Sequence, residues 1–299
     1  MDWPGILTAM VTPFAADGSL NEEAATALSE WLISQGSGGL VIAGTTGESP
    51  TLKGTERRRL YEAVRRGVGH RVPIWVGCGS NDTDETVARA TEVERWGADG
   101  VMVVTPYYNK PPQEGLYQHF LAVARAISIP MMIYNVPGRT GVSIQAATVA
   151  RIARATALPL AVKEASGTLD TIAAMVEACP GVRVYAGDDA LFQPALRVGA
   201  AGVVSVASHL VGPAMEQLWI YERTGQGELA ARLHQQLLPI MRGLFTWPNP
   251  IPVKWALNRL GHNTGPVRLP LVYPDDTSAL EELLVRILAR GQSVKTRAL

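Results

Sequence analysis

Lysine is rare inside an apolar strand, because taking an ammonium out of water is costly. Lys163 stands in such a run, LPLAVKEASG at 158–167. Desolvation favours the neutral amine of a lysine, and the neutral amine is the form that attacks a carbonyl. The run therefore suits an imine-forming nucleophile. Taken alone, it suits equally well a strand-end lysine whose ammonium snorkels back to water. Tyr134 follows the apolar run MMI, so its hydroxyl is expected to emerge at the strand end, where a tyrosine can act as general acid and base. The competing reading is a core aromatic with a satisfied hydroxyl. Arg139 lies in NVPGRTG, at 135–141, where a guanidinium can hold a carboxylate bidentately; on its own it reads as a surface arginine. Thr45 and Thr46 sit between glycines in GTTGE, at 44–48. Their hydroxyl and N–H groups can cradle a carboxylate, or the segment is a simple tight turn.

Each of these residues closes or follows a short apolar run, so the runs must position the chemistry. Eight runs recur, at 6–13, 39–44, 72–79, 100–106, 130–137, 158–167, 182–188 and 202–208. They are nearly continuous in apolar, β-branched residues, the pattern of parallel strands covered on both faces. Stretches of helical periodicity lie between them, among them 21–35, 55–68, 82–96, 114–127 and 144–155. Asn21 ahead of Glu22 and Glu23, and Thr83 with Thr86 nearby, are the expected capping signals. Eight strand–helix units predict an α/β fold, a closed (β/α)8 TIM barrel. An open doubly wound sheet is the alternative, weakened because no GxGxxG follows the first run. After about Thr224 the strand signal stops, and 228–244, 252–260 and 277–289 read as helices. The expected organisation is a catalytic barrel over 1–224 and a helical C-terminal appendage over 225–299.

Barrel enzymes place their chemistry at the C-terminal ends of the strands. The unusual polar residues collect there, in GTTGE at 44–48, TPYYN at 105–109, YNVPGRTG at 134–141, GDD at 187–189 and SVASH at 205–209.

The bulk numbers exclude several classes. Hydrophobic residues make up 47% and charged residues 18%, ordinary globular material. Lys+Arg and Asp+Glu are 27 each, and a neutral balance argues against a nucleic-acid or anionic-membrane partner. Cys78 and Cys179 form no CxxC pair, and Cys78 in VPIWVGCGS is expected to be a buried, reduced thiol. The N-terminus lacks the basic and apolar regions of a signal peptide, and no run is long enough to span a membrane, so a reducing cytoplasm is the expected compartment. The five histidines have no ligand-like spacing, and no GxSxG elbow is present.

Together these segments resemble the dihydrodipicolinate synthase (4-hydroxy-tetrahydrodipicolinate synthase) family, within the N-acetylneuraminate lyase superfamily of pyruvate-dependent class I aldolases. The matching segments are GTTGES at 44–49, TPYYNKPPQEGLYQHF at 105–120, YNVPGRTG at 134–141, VKEASG at 162–167, GDDAL at 187–191, GVVSVASH at 202–209 and NPIPVKWAL at 249–257. They cover nearly the whole chain in the family's order. Within the superfamily, GTTGE and the arginine of YNVPGRTG point to the synthase. The resemblance implies condensation of pyruvate with L-aspartate-4-semialdehyde in diaminopimelate and lysine biosynthesis. It implies no metal and no other cofactor, and a homotetramer built as a dimer of dimers.

By the same resemblance, Lys163 is the Schiff-base lysine and Tyr134 the tyrosine that shuttles protons. Thr45 and Tyr108 are its relay partners, with Tyr108 reaching in from a neighbouring subunit. Thr46 is a pyruvate-carboxylate ligand, Val204 offers a backbone contact to pyruvate, Gly187 joins the substrate-binding positions, and Arg139 clamps the semialdehyde. Ser49, Asn81, Glu85 and Tyr107 match a site where some relatives bind lysine. Gly54 and Arg57 stand where lysine-sensitive relatives commonly carry histidines, so weak or absent inhibition is expected. Two rival readings remain at this point. One is a sibling lyase acting on N-acetylneuraminate or a 2-keto-3-deoxy sugar acid; the other is a paralogue that binds a metabolite without turnover.

Overall fold

The apolar runs form strands because β-branched side chains pack well on a pleated surface buried on both faces. In the structure, a computed structural model that describes residues 3–295 with side chains to 289, the strands are β1 Ile6–Ala9, β2 Gly39–Ile42, β3 Ile74–Gly77, β4 Gly100–Val104, β5 Met131–Asn135, β6 Leu160–Glu164, β7 Arg183–Ala186 and β8 Gly202–Ser205. They close in sequence order into a barrel. The expected (β/α)8 fold is borne out, and the open sheet is excluded by the closure. Each strand is shorter than the apolar run that signalled it. The 130–137 run stops at Asn135, and Pro137–Thr140 forms one helical turn instead, because proline fixes a φ suited to a helix start.

Register fixes which side chains are neighbours. On β5 and β6, Tyr134 pairs with Lys163 and Asn135 with Glu164; on β6 and β7, Lys163 pairs with Tyr185. Successive side chains of a strand point to opposite faces. Tyr134 and Lys163 therefore share one face, and Asn135 and Glu164 the other.

Two compact units divide the described chain. One comprises the chain up to Leu7 with Pro73–Val204, and the other Thr8–Val72 with the chain from Ser205 onward. The first holds β3 to β7 and the helices Thr83–Arg95, Gln113–Ala126, Ala146–Ala155 and Leu169–Ala178. The Val203 N–H bonds to the Gly5 carbonyl at 2.9 Å, and Gly202 has no room for a side chain, since a Cβ would lie 1.9 Å from that oxygen. The second holds β2 and the helices Glu22–Ser34, Gly54–Val68, Ser208–Arg223, Gly227–Gly243, Ile251–Arg259 and Ser278–Lys295.

Of the two helix starts with a capping signal in the sequence, one is capped as expected and one differs. Asn21 caps the first helix, its side chain accepting from the Ala24 N–H. The helix beginning at Thr83 is capped by Asp82, which accepts from the Glu85 N–H, and not by Thr83. Asp82 has the extended backbone of a cap residue, while Thr83 is already helical and turns its hydroxyl to His119 Nδ1 at 2.9 Å. Cys78 and Cys179 are buried, and neither is in a disulfide.

Candidate active site

Within the first unit, the end of β6 presents Lys163 and the end of β5 presents Tyr134. Both are 5% exposed. Lys163 Nζ lies 4.3 Å from the centroid of the Tyr134 ring, a contact set directly by their register pairing. Among the described residues no hydrogen bond or ion pair engages that amine, and none engages the Tyr134 hydroxyl. A lysine with an embedded stem and an unspent nitrogen, beside a phenol, is what imine formation needs: a nucleophile with a proton carrier at hand.

A second buried lysine shows the opposite arrangement. Lys254, in the second unit, is fully buried, and its Nζ donates to Glu48 Oε1 at 2.9 Å, to the Thr12 carbonyl at 3.0 Å and to the Pro266 carbonyl at 2.7 Å. Burial pulls its pKa down to about 8, against the opposing pull of Glu48. All three protons are committed, so this nitrogen has no lone pair to offer while the contacts last.

The GTTGE segment lies in the second unit as a turn. The Glu48 N–H bonds to the Thr45 carbonyl and the Ser49 N–H to the Gly44 carbonyl. Among the described residues nothing accepts from the N–H groups of Thr45, Thr46 and Gly47, although Thr46 is only 2% exposed. Unspent donors in a buried turn suit an anion. Asn249 donates its amide to Thr46 Oγ1 at 2.9 Å, which leaves the Thr46 hydroxyl proton free to point elsewhere. Glu48 adopts a left-handed φ of 54°, uncommon outside glycine. Its carboxylate anchors the turn, taking Lys254 Nζ on one oxygen and the Arg268 N–H on the other at 2.8 Å.

The remaining positions fall on the first unit, apart from Ser49. Arg139 is exposed on the Pro137–Thr140 turn, and no partner engages its guanidinium among the described residues. Val204 is fully buried on β8. Gly187 follows β7 and donates its N–H to the Glu164 carbonyl at 2.7 Å; a Cβ there would meet that of Ala165 at 2.5 Å. Tyr107 is 40% and Tyr108 88% exposed, and Tyr108 holds a φ of 72°. Nearby, Asn109 donates its amide to the Asn81 carbonyl at 3.0 Å. Glu85 is already engaged, by the Ser80 hydroxyl and the Arg89 guanidinium. Ser49 opens a short 3-10 turn and takes Arg57 Nη2 on its hydroxyl at 3.2 Å.

The dihydrodipicolinate synthetase family model matches residues 2–288. The chain belongs to this family. It is 50% identical over 275 residues to 4-hydroxy-tetrahydrodipicolinate synthase 2 of Halalkalibacterium halodurans, covering 92% of this chain and 94% of the relative. The synthase of Bacillus subtilis is 48% identical over 273 residues, 91% of this chain and 94% of that one. A crystal structure of the Cyanidioschyzon merolae enzyme, which has lysine bound, superposes with a TM-score of 0.93 at 40% identity, over 96% of this chain and 98% of that one. In this family member, sequence reasoning missed the anchoring roles of Glu48, Asn249 and Lys254. The available signals were a lysine in the buried helical run NPIPVKWAL and a glutamate directly after TTG.

Proposed function

We propose that the chain is a class I aldolase-type lyase that condenses pyruvate with L-aspartate-4-semialdehyde through a Schiff base on Lys163, feeding diaminopimelate and lysine biosynthesis. The observation that carries the reading is the Lys163 amine seated over the Tyr134 ring, with no hydrogen bond or ion pair on it among the described residues.

In this reading the Lys163 amine adds to the ketone carbon of pyruvate. Tyr134 delivers a proton to the departing oxygen, which leaves as water when the imine forms. The cationic imine withdraws electrons, so the methyl group loses a proton and becomes an enamine carbon. That carbon attacks the semialdehyde carbonyl, whose oxygen takes up a proton. The amino group of the joined chain then adds to the imine carbon and expels Lys163, closing the ring. Thr46, with the turn's free N–H groups, takes the pyruvate carboxylate, and Val204 and Gly187 line the same substrate. Thr45 and Tyr108 pass protons to and from Tyr134. Arg139 receives the carboxylate of the semialdehyde, which a free, planar guanidinium binds bidentately.

The assembly belongs to the proposal. Tyr108 is too exposed to serve a buried relay unaided, so it completes the site of a neighbouring subunit, in a homotetramer formed as a dimer of dimers. Sedimentation should show at least a dimer, and a fully active monomer would remove the shared relay.

Borohydride reduction with pyruvate should add mass to the peptide containing Lys163, and Lys163→Ala should lose activity by roughly a thousandfold or more. Label on Lys254 would refute the assignment. Turnover of the semialdehyde but not of N-acetylneuraminate separates synthase from sibling lyase.

A further inference from the structure

Directly behind the Lys163–Tyr134 pair lies a second cross-strand pair, buried and fully hydrogen-bonded. Asn135 is 1% and Glu164 2% exposed. Asn135 Nδ2 donates to Glu164 Oε2 at 2.8 Å, and the Ser166 N–H donates to Glu164 Oε1 at 2.8 Å. The two residues are register partners on β5 and β6, one step beyond Tyr134 and Lys163. Strand alternation puts them on the face opposite the Lys163 amine and the Tyr134 ring. Among the described residues no cation pairs with the Glu164 carboxylate.

The same amide has a second task. Asn135 Oδ1 accepts the Ile144 N–H at 3.1 Å, and its Nδ2 also reaches Ser143 Oγ at 3.2 Å. Residues 143 and 144 end the segment that carries Arg139. The Ala165 N–H bonds to the Asn135 carbonyl at 2.8 Å, and the Gly187 N–H to the Glu164 carbonyl at 2.7 Å. One side chain thus ties the Lys163 strand to the far end of the Arg139 segment, and the neighbouring backbone extends the tie to Gly187.

We infer that Asn135 and Glu164 are positioning residues that hold Lys163 against Tyr134 and keep the Arg139 segment in step with them. The inference rests on Lys163 being the Schiff-base lysine. A slip of one residue between β5 and β6 would exchange the two faces and turn Lys163 away from its partner. A misplacement on the order of 1 Å costs roughly a hundredfold in rate. An aldolase of this kind needs the nucleophile, its proton carrier and the second-substrate clamp aligned at the same moment, and the Asn135 amide contacts the supports of all three.

A polarity swap tests this. Asn135→Asp alone sets a carboxylate against Glu164. Glu164→Gln alone leaves a donor facing either Asn135 Nδ2 or the Ser166 N–H. The double variant Asn135→Asp/Glu164→Gln restores the cross-strand bond and those to Ser166 and Ile144, and the Ser143 hydroxyl can turn to donate to the new carboxylate. Its new amide donates across the strands to the new carboxylate, and the amide oxygen accepts the Ser166 N–H, while the carboxylate accepts the Ile144 N–H. Asn135→Ala removes the amide without creating a clash. The readouts are the rate of pyruvate-dependent borohydride inactivation and the semialdehyde kcat/KM, each per mole of pyruvate trapped, so that unfolded protein does not count. All three single variants should lose about tenfold or more in both readouts. The double should return to within about threefold of the unsubstituted protein. Folded single variants with unchanged rates, or a double no better than the worse single, overturns the inference. So does failure of all four variants to fold, because a purely architectural role would then suffice. Label away from Lys163 in the unsubstituted protein overturns the Lys163 reading instead, and is seen before any variant is made.

Discussion

Glu48 and Lys254, 206 positions apart, form an ion pair at 2.9 Å with both side chains at most 1% exposed. The pair fastens the GTTGE turn to the Ile251–Arg259 helix, and Asn249, just ahead of that helix, bonds Thr46 in the same turn. Breaking a buried pair on one side strands the other charge, at a cost of about 3–5 kcal/mol. Lys254→Met should lower the unfolding midpoint sharply, and Lys254→Met/Glu48→Gln should recover part of the loss, since a glutamine strands no charge and still accepts the Arg268 N–H. Denaturant titration checks both, and a single variant as stable as the unsubstituted protein would contradict the anchoring role.

Among the described residues Arg139 has no partner to lose, so its replacement should leave stability nearly untouched. Arg139→Ala should cut kcat/KM for the semialdehyde by about ten- to a hundredfold, the worth of one charge-assisted hydrogen bond. Arg139→Lys should recover little, since an ammonium cannot reproduce the bidentate fork. Pyruvate-dependent trapping should be nearly normal in both. Equal damage to the two substrates would move Arg139 away from the semialdehyde.

His209 is fully buried, with Nε2 accepting the Val11 N–H at 3.2 Å and Nδ1 against the Val206 carbonyl at 2.9 Å. Burial pushes its pKa down to about 4. The unfolded chain takes up this proton near pH 6.5, where free histidine titrates. Between those limits the unfolded state binds more protons, so stability rises with pH; it is complete above about 6.5 and lost as pH falls toward 4. The span corresponds to about 3 kcal/mol. His209→Asn should flatten this part of the stability profile, measured by denaturant unfolding at pH 4.5, 5.5 and 7. An unchanged slope would show that other groups govern acid unfolding.

Lysine should inhibit weakly. Gly54 offers no side chain, and Arg57 turns inward, 5% exposed, with Nη2 on Ser49 Oγ at 3.2 Å. Of the other matching positions, Glu85 is taken up by Ser80 and Arg89, while Tyr107 remains partly exposed. Each displaced charge-assisted hydrogen bond costs about 1.5–3 kcal/mol, or about ten- to a hundredfold in affinity. Titration of L-lysine, with both substrates near their Michaelis constants, should give half-inhibition well above tens of micromolar. Strong inhibition in that range would mean that Arg57 can serve the ligand carboxylate after leaving Ser49.

The sequence alone determined the eight apolar runs, the helices between them, the closed-barrel class and the candidates Lys163, Tyr134, Arg139 and Thr46. These were legible because periodicity, capping chemistry and the rarity of a charge in an apolar run are local properties. Local pattern does not specify partners. Lys163 and Lys254 both stand in apolar surroundings, and only the tertiary structure separated them: one nitrogen is unspent beside Tyr134, the other gives all three protons to Glu48, Thr12 and Pro266. The link from Asn135 to Glu164 likewise exists only because β5 and β6 pair in one register and not the next. Even the cap of the Thr83–Arg95 helix was decided there, since Asp82 and Thr83 are both good capping residues and only the backbone shows which of them lies outside the helix. A hydrogen bond between residues distant in sequence depends on strand pairing and helix docking, and these are set by the packing of the whole chain.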